Sequence, residues 1–224
     1  MNGWHAMLTL LAKEARLEFR TRELLTATVV FSLIIIVFFS FAFDPTPAEA
    51  RRYGPGLLWI AFFFATSLMV SPSFAREQIN DTLDALRLAP ISSFAILTAK
   101  MLANFLFLLI SEAILVPAFA LFFNVSLIGI LGRLIFVLLL GSAGLVITGS
   151  VFSAISAHAR MRELLLPVLL LPFLSPLLIA ASSTTISLFS VRAELDRTWV
   201  TFLVGFDIVF LTASWLLSDF LAEG

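Results

Sequence analysis

Two carboxyl side chains, Glu112 and Asp207, are the ionisable groups near the middle of the long apolar runs of the sequence. A charged carboxylate at mid-membrane depth is costly, so such residues usually face the interior of a helix bundle and often mark a pathway. Two interpretations stay open. In the first, the two carboxyls and Asn104 form a polar site along a substrate pathway. In the second, each is a neutral carboxyl hydrogen-bonded to Asn104, Ser111 or Thr201.

Motifs of intramembrane hydrolases and nucleotide-binding proteins are missing from the sequence. It contains no GxSxG, no HExxH and no phosphate-binding GxxxxGK[ST] loop, and His5 and His158 fall outside the apolar runs. The lack of cysteine excludes thiolate chemistry, disulfides and iron–sulfur clusters. We therefore expect no catalytic residue and no bound metal, and any ATP that drives this protein must be bound by a partner.

The composition is that of an integral membrane protein. Of 224 residues, 60% are hydrophobic and 13% are charged, and the mean hydropathy is +1.06. Soluble domains have about 45–50% apolar and about 25% charged residues. The net charge of -1 and the absence of a basic tract argue against a nucleic-acid surface.

Six apolar runs are long enough to span a membrane as helices, which takes about 20 residues each. They cover residues 24–43, 55–75, 98–123, 129–153, 163–182 and 198–219. No soluble domain fits between them. The sequence therefore predicts an all-α integral membrane protein with six transmembrane helices in a single transmembrane domain, residues 1–224.

The distribution of lysine and arginine predicts the orientation, because these residues are enriched in cytoplasmic loops. With the N-terminus inside, nine fall on the cytoplasmic side: Lys13, Arg16, Arg20, Arg22, Arg76, Arg87, Lys100, Arg160 and Arg162. Five fall outside: Arg51, Arg52, Arg133, Arg192 and Arg197. This favours cytoplasmic N- and C-termini.

The first 23 residues have the pattern of an amphipathic helix. On a helix, one side carries Trp4, Met7, Leu8, Leu11, Ala15 and Phe19, and the other carries Lys13, Arg16, Arg20 and Glu23. We expect this helix to lie in the membrane interface with Trp4 as an anchor. The alternative is a charged flank that only fixes the orientation.

The longest polar interruption between spans is the segment 76–97, between spans two and three. Asn80 or Asp81 could cap a short helix that Pro90 ends. Its other candidate contact residues are Glu77, Thr82, Leu83, Asp84, Leu86 and Arg87. We expect a cytoplasmic helix that fits a groove in a soluble ATPase; the alternative is an ordinary charged loop.

Proline-rich stretches predict interruptions elsewhere. The segment 44–56, DPTPAEARRYGPG, predicts a turn. Pro167, Pro172 and Pro176 predict a broken or bent fifth span, because each removes a backbone donor. The polar run SSTTISLFS that follows predicts a short helix dipping back into the membrane.

Small residues in the fourth span predict close helix packing. Gly144 and Thr148 are four residues apart, as are Gly149 and Ser153, and Gly141 and Ser142 precede them. Such spacing lets two helix backbones approach closely. We expect contacts inside the bundle rather than between subunits.

The order of these features resembles a known family. Glu77-x-x-x-Asp81-Thr82-Leu83-Asp84-x-Leu86, followed by Pro90 and Lys100, is similar to the E-x-x-x-G-T-L-E-x-L…P…K pattern of type-2 ABC exporter permeases. Within them the chain looks like the CcmB family, through KEARLEFRTRE, YGPGLLWIAFFFATSL, LAPIS…LTAK and LLLPVLLLPFLSPLLIA. The chain departs from the exporter pattern at two positions. Asp81 stands where the pattern has glycine, and Asp84 stands where the pattern has glutamate.

This resemblance implies a permease subunit in the bacterial inner membrane. The implied complex has a second copy of the chain, two CcmA-like ATPases, and CcmC-like and CcmD-like membrane proteins. It delivers haem to a CcmE-like chaperone, either by exporting haem or by releasing the loaded chaperone. The alternatives are export of another lipophilic substrate, or ion-coupled secondary transport using Glu112 and Asp207.

Residues that commonly ligate haem iron are scarce in the spans. The iron is generally held by His, Met, Cys or Tyr. Neither histidine lies in a span, Tyr53 is the single tyrosine, and Met69 and Met101 suit packing. We therefore expect no cofactor bound stably inside the bundle and treat haem as cargo of the complex, with this subunit mainly transmitting ATP-driven motion.

Overall fold

Seven α-helices make up the part of the chain that a computed structural model describes. The structure describes residues 3–43, 45–79, 92–156, 162–190 and 193–223, and within these ranges there is no β-strand. The helices are α1 (Gly3–Thr21), α2 (Glu23–Phe43), α3 (Pro47–Ile79), α4 (Ser93–Phe122), α5 (Leu131–Ser156), α6 (Arg162–Phe189) and α7 (Arg197–Glu223).

Helices α2 to α7 are each long and apolar enough to cross a membrane. The predicted all-α fold with six transmembrane helices is therefore confirmed. Short connections join helices that pack together, so consecutive helices meet at one of two ends of the bundle. The α1 end is the end where α1 lies, and the far end is the end where α2 and α4 finish. At the far end, the Ser40 hydroxyl donates to the Phe122 carbonyl at 2.8 Å and ties these two helices together.

Helix α3 begins much earlier than the Pro- and Gly-rich sequence predicts. The turn predicted over 44–56 is wrong, since the helix already starts at Pro47. The Thr46 backbone N–H and hydroxyl both donate to Glu49 Oε2, at 2.9 and 2.7 Å, and the Glu49 N–H donates back to Thr46 Oγ1. This is a capping box with proline in the first helical position, a strong helix start.

Helix α5 lies at the centre of the bundle and contacts α3, α4, α6 and α7. A Cβ added at Gly141 would meet the Trp59 ring, and one at Gly149 would meet Thr66 and Val70. The Ser153 hydroxyl donates to the Val70 carbonyl at 2.6 Å. The predicted close packing of these small residues inside the bundle is confirmed.

Helix α6 continues through Pro167, Pro172 and Pro176. The predicted helix break is therefore not found, while a bend stays a prediction. Pro176 leaves the Pro172 carbonyl without its backbone donor, and the Ser175 hydroxyl donates to that carbonyl at 2.9 Å. Serine and threonine side chains commonly satisfy carbonyls that a proline frees in a membrane helix.

The polar end of α6 is also part of the same helix. The short dipping helix predicted for SSTTISLFS is wrong, because Thr184 and Thr185 are fully buried in α6. Both hydroxyls donate to carbonyls four residues earlier, at 2.8 Å. Thr185 Oγ1 also accepts the Trp59 indole N–H at 3.0 Å, which joins α6 to α3.

Candidate functional site

Glu112 lies inside the bundle on α4, with 2% of its surface exposed. Its Oε1 accepts a hydrogen bond from the Ser142 hydroxyl of α5. Its Oε2 is buried and makes no hydrogen bond within the described residues. The pair joins the two helices at mid-bundle depth.

The partner of Glu112 differs from the three that the sequence suggested. Ser111 donates instead to the Phe107 carbonyl of its own helix, at 3.0 Å. Asn104 is buried on α4, but eight residues place it about 12 Å from Glu112 along the helix axis. Thr201 is exposed. The packing of α5 against α4 decides the partner, and no local sequence pattern predicts it.

Asp207 lies partly buried on α7, against the backbone of α5 at Gly144. A Cβ added at Gly144 would meet Leu177 and Asp207 Oδ1. Asp207 Oδ1 is buried and makes no hydrogen bond within the described residues. The glycine therefore makes room for both an α6 and an α7 side chain.

The two carboxyls approach α5 from different sides. Ser142 and Gly144 are two residues apart, which places them about 200° apart around the helix axis and about 3 Å apart along it. Glu112 and Asp207 thus lie at similar depth but contact different faces of α5. This geometry does not provide one shared carboxylate site.

Lys100 ties α4 to the N-terminal helix. Its side chain is 3% exposed, and its Nζ lies 3.7 Å from Glu14 Oε1 of α1. Lys13 Nζ, on the exposed side of α1, is 3.6 Å from the same oxygen. Lys100 and Asn104 belong to one buried face of α4, so this helix carries polar groups from the α1 end to Glu112.

The apolar side of α1 packs against the bundle. Met7 is buried, and Leu11 and Ala15 contact the hydrophobic cluster that contains Leu97 and Met101 of α4. Leu8, predicted on the same side, is exposed. The side chains of Trp4 and Phe19 lie outside those the structure describes, and the interfacial position of α1 stays a prediction.

A carboxylate also fixes the turn between α1 and α2. Glu18, 2% exposed, accepts the Leu25 backbone N–H at 2.8 Å. It thereby serves one of the free donors at the start of α2. Arg22, between the two helices, has the left-handed backbone conformation, with φ 54°.

Most of the predicted ATPase-coupling residues lie outside the described residues. They are Asp81, Thr82, Leu83, Asp84, Leu86, Arg87 and Pro90. Glu77 is in the last turns of α3, but its side chain is not described. The end of α3, at Ile79, and the start of α4, at Ser93, both lie at the α1 end of the bundle.

Candidate metal ligands are not grouped in the part of the chain that the structure describes. Among the described residues, no three His, Cys, Asp or Glu side chains form a metal site. Met69 and Met101 are buried in the same hydrophobic cluster. Tyr53 lies at the far end of the bundle and is exposed.

Comparison with known proteins decides the family. The family model described as CcmB protein matches residues 5–220. The chain belongs to the CcmB family. The resemblance seen in its motifs is thereby confirmed.

Curated CcmB-family relatives cover most of the chain. Heme exporter protein B of Pseudomonas aeruginosa is 33% identical over 77% of each chain. The protein of that name from Rhodobacter capsulatus is 30% identical over 77% of this chain and 79% of its own. The one from Bradyrhizobium diazoefficiens is 28% identical over 81% and 82%. This CcmB-family protein is thus a multi-pass membrane protein related to proteins named heme exporter protein B over most of its length.

Proposed function

We propose that this CcmB-family protein is the membrane permease subunit of an ATP-driven complex for cytochrome c biogenesis. The observation that carries the proposal is the family match over residues 5–220 together with relatives named heme exporter protein B. The complex would contain two copies of this chain and two CcmA-like ATPases. It would work with CcmC-like and CcmD-like membrane proteins and a CcmE-like chaperone in the bacterial inner membrane.

The segment 76–97 is the proposed contact with the ATPase. It joins α3 to α4 at the α1 end, where Glu14 and Lys100 connect α1 to α4. Movement of this segment would be passed directly to α4, and from there to α1 through the ion pair. The proposed contact residues are Glu77, Asp81, Thr82, Leu83, Asp84, Leu86, Arg87 and Pro90.

Two outputs are compatible with such a subunit: export of haem, or ATP-driven release of the haem-loaded chaperone. The sparse set of iron ligands in the spans favours a subunit that mainly transmits motion to partners that hold haem. Ion-coupled transport through Glu112 and Asp207 gains no support from the geometry, because the two carboxyls contact different faces of α5.

A complementation experiment tests the proposal. A bacterial strain that lacks its own CcmB-family gene receives the wild-type chain, a triple variant or a control. The triple variant combines Asp81→Ala, Asp84→Arg and Leu86→Ala, and the control is Glu194→Lys. Glu194 is exposed at the far end of the bundle, away from the proposed contact. We expect the triple variant to lose both ATPase co-purification and cytochrome c, and the control to keep both.

Two results would overturn parts of this proposal. Full ATPase binding and a normal cytochrome c yield in the triple variant would remove the coupling assignment. A normal cytochrome c yield in the strain without any copy of the chain would point to export of another lipophilic substrate.

A further inference from the structure

A cavity of about 520 Å³ lies at the far end of the bundle, between the end of α2 and the first turns of α3. Its walls are apolar and aromatic and include Phe43, Tyr53, Leu57, Ile60 and Phe123. Small-molecule sites have volumes of about 300–1,000 Å³ and mostly apolar walls with a few polar groups. The cavity has the size and lining of such a site.

One wall of the cavity is held in place by the helix core. Phe123, which lines it, stacks on Phe119 with ring centroids 4.8 Å apart. Phe119 is buried against Gly54 of α3, where an added Cβ would lie 2.9 Å from its ring. The wall therefore exists before any ligand binds.

Gly56 exposes bare backbone at the cavity wall. It lines the cavity, and a Cβ added there would meet nothing within 4 Å. Glycine inside a helix costs roughly 0.5–1 kcal/mol relative to alanine, and packing does not require it here, in contrast to Gly54. Close approach of a ligand to the backbone is a use that only glycine permits.

Two charged side chains, Arg52 and Glu49, lie next to the apolar wall residues. The Arg52 guanidinium lies over the Tyr53 ring, 5.4 Å from its centroid, and is exposed. Glu49 also lines the cavity, but the Thr46 N–H and hydroxyl hold its Oε2 in the capping box. Because Tyr53 lines the cavity, the Arg52 guanidinium over its ring lies beside the rim and can pair with an anionic group there.

We propose that this cavity binds a flat apolar ring system that carries carboxylates, namely a tetrapyrrole. Aromatic walls offer faces on which such a ring can stack, and Arg52 offers a cation for a carboxylate at the ring edge. The choice of haem as the tetrapyrrole rests on the proposed function. Recognition is by shape and charge rather than by the iron, so binding is weak and reversible.

The test measures binding of haemin, metal-free protoporphyrin IX and its dimethyl ester to the full chain in lipid nanodiscs, with empty nanodiscs subtracted. Gly56→Leu fills the cavity, and Gly205→Leu places the same side chain at another open helical position. We expect Gly56→Leu to weaken haemin binding at least tenfold and Gly205→Leu to leave it unchanged. Tyr53→Ala, which truncates an exposed wall residue, should weaken binding severalfold even if Gly56→Leu fails to fold.

Further probes test how the ring is recognised. Metal-free protoporphyrin should bind as haemin does, and the dimethyl ester should bind the wild type about as weakly as haemin binds Arg52→Gln. Equal haemin affinity of the wild type, Gly56→Leu and Tyr53→Ala would overturn the proposal. If the wild-type chain supports cytochrome c formation but these variants bind haemin normally, the cavity assignment alone fails. If haemin binds as expected but the chain does not support cytochrome c formation, the proposed function fails instead.

Discussion

The Ser142 hydroxyl of α5 donates a hydrogen bond to the Glu112 carboxyl of α4 in the interior of the bundle. Both residues are buried, with Ser142 fully enclosed. The contact joins the central helix to the helix that follows the proposed ATPase contact. Glu112 therefore has a structural partner, whether or not its carboxyl also serves transport.

Replacing Ser142 by alanine should destabilise the protein by about 1–2 kcal/mol, because it leaves the buried Glu112 carboxyl without its donor. Glu112→Gln retains a carbonyl acceptor and should leave both the thermal midpoint in detergent and the cytochrome c yield close to wild type. Ser111→Ala is the matched control, since its equally buried hydroxyl bonds within its own helix. A stable Glu112→Gln variant that makes no cytochrome c would show that the carboxyl acts through its proton or charge.

Gly144→Ala should destabilise the bundle by about 1–3 kcal/mol, the range for an added methyl group in a packed core. The new Cβ would meet Leu177 and Asp207. Gly205→Ala, in open space on α7, should be neutral or slightly stabilising, because alanine favours the helix. Thermal unfolding of the two variants in the same detergent makes the comparison. Equal midpoints would contradict the close packing of α5 against α6 and α7.

The six spans could be predicted from the sequence because a membrane-spanning helix requires a long apolar run. Such a run can be recognised without knowing which helices pack together. The start of α3 differs from the predicted turn, because Thr46, Pro47 and Glu49 form a capping box among prolines and glycines that by themselves favour a turn. That signal was available in the sequence.

Other features could not be predicted from local patterns. The Ser142 partner of Glu112, the Glu14 partner of Lys100 and the enclosure of Asp207 at Gly144 depend on which helices pack together. A helix can also pass through three prolines when side chains satisfy the freed carbonyls, as Ser175 does for Pro172. The cavity beside Gly56 likewise arises from the meeting of α2, α3 and α4.

Lys100→Ala should be far more damaging than Lys13→Ala, although both lysines contact Glu14. Lys100→Ala removes a buried side chain together with its ion pair, a change that should cost about 1–3 kcal/mol, although Glu14 keeps Lys13 as a partner. Removing the exposed Lys13 should change the free energy of unfolding by less than about 1 kcal/mol. A double-mutant cycle with Glu14→Gln, followed by thermal unfolding, measures the coupling. Equal effects of the two lysine variants would show that the Lys100 contact does not hold α1 to the bundle.

The predicted orientation can be tested directly because the chain contains no cysteine. Single replacements Ala12→Cys, exposed on α1, and Glu194→Cys, exposed at the far end, report the two ends of the bundle. In intact spheroplasts, a membrane-impermeant maleimide should label the Glu194→Cys variant and not the Ala12→Cys variant, and lysis should make both reactive. Neither replacement alters a lysine or arginine, so neither disturbs the charge asymmetry that predicts the orientation. Labelling of Ala12→Cys before lysis would invert the assignment, and the segment 76–97 would then face away from any cytoplasmic ATPase.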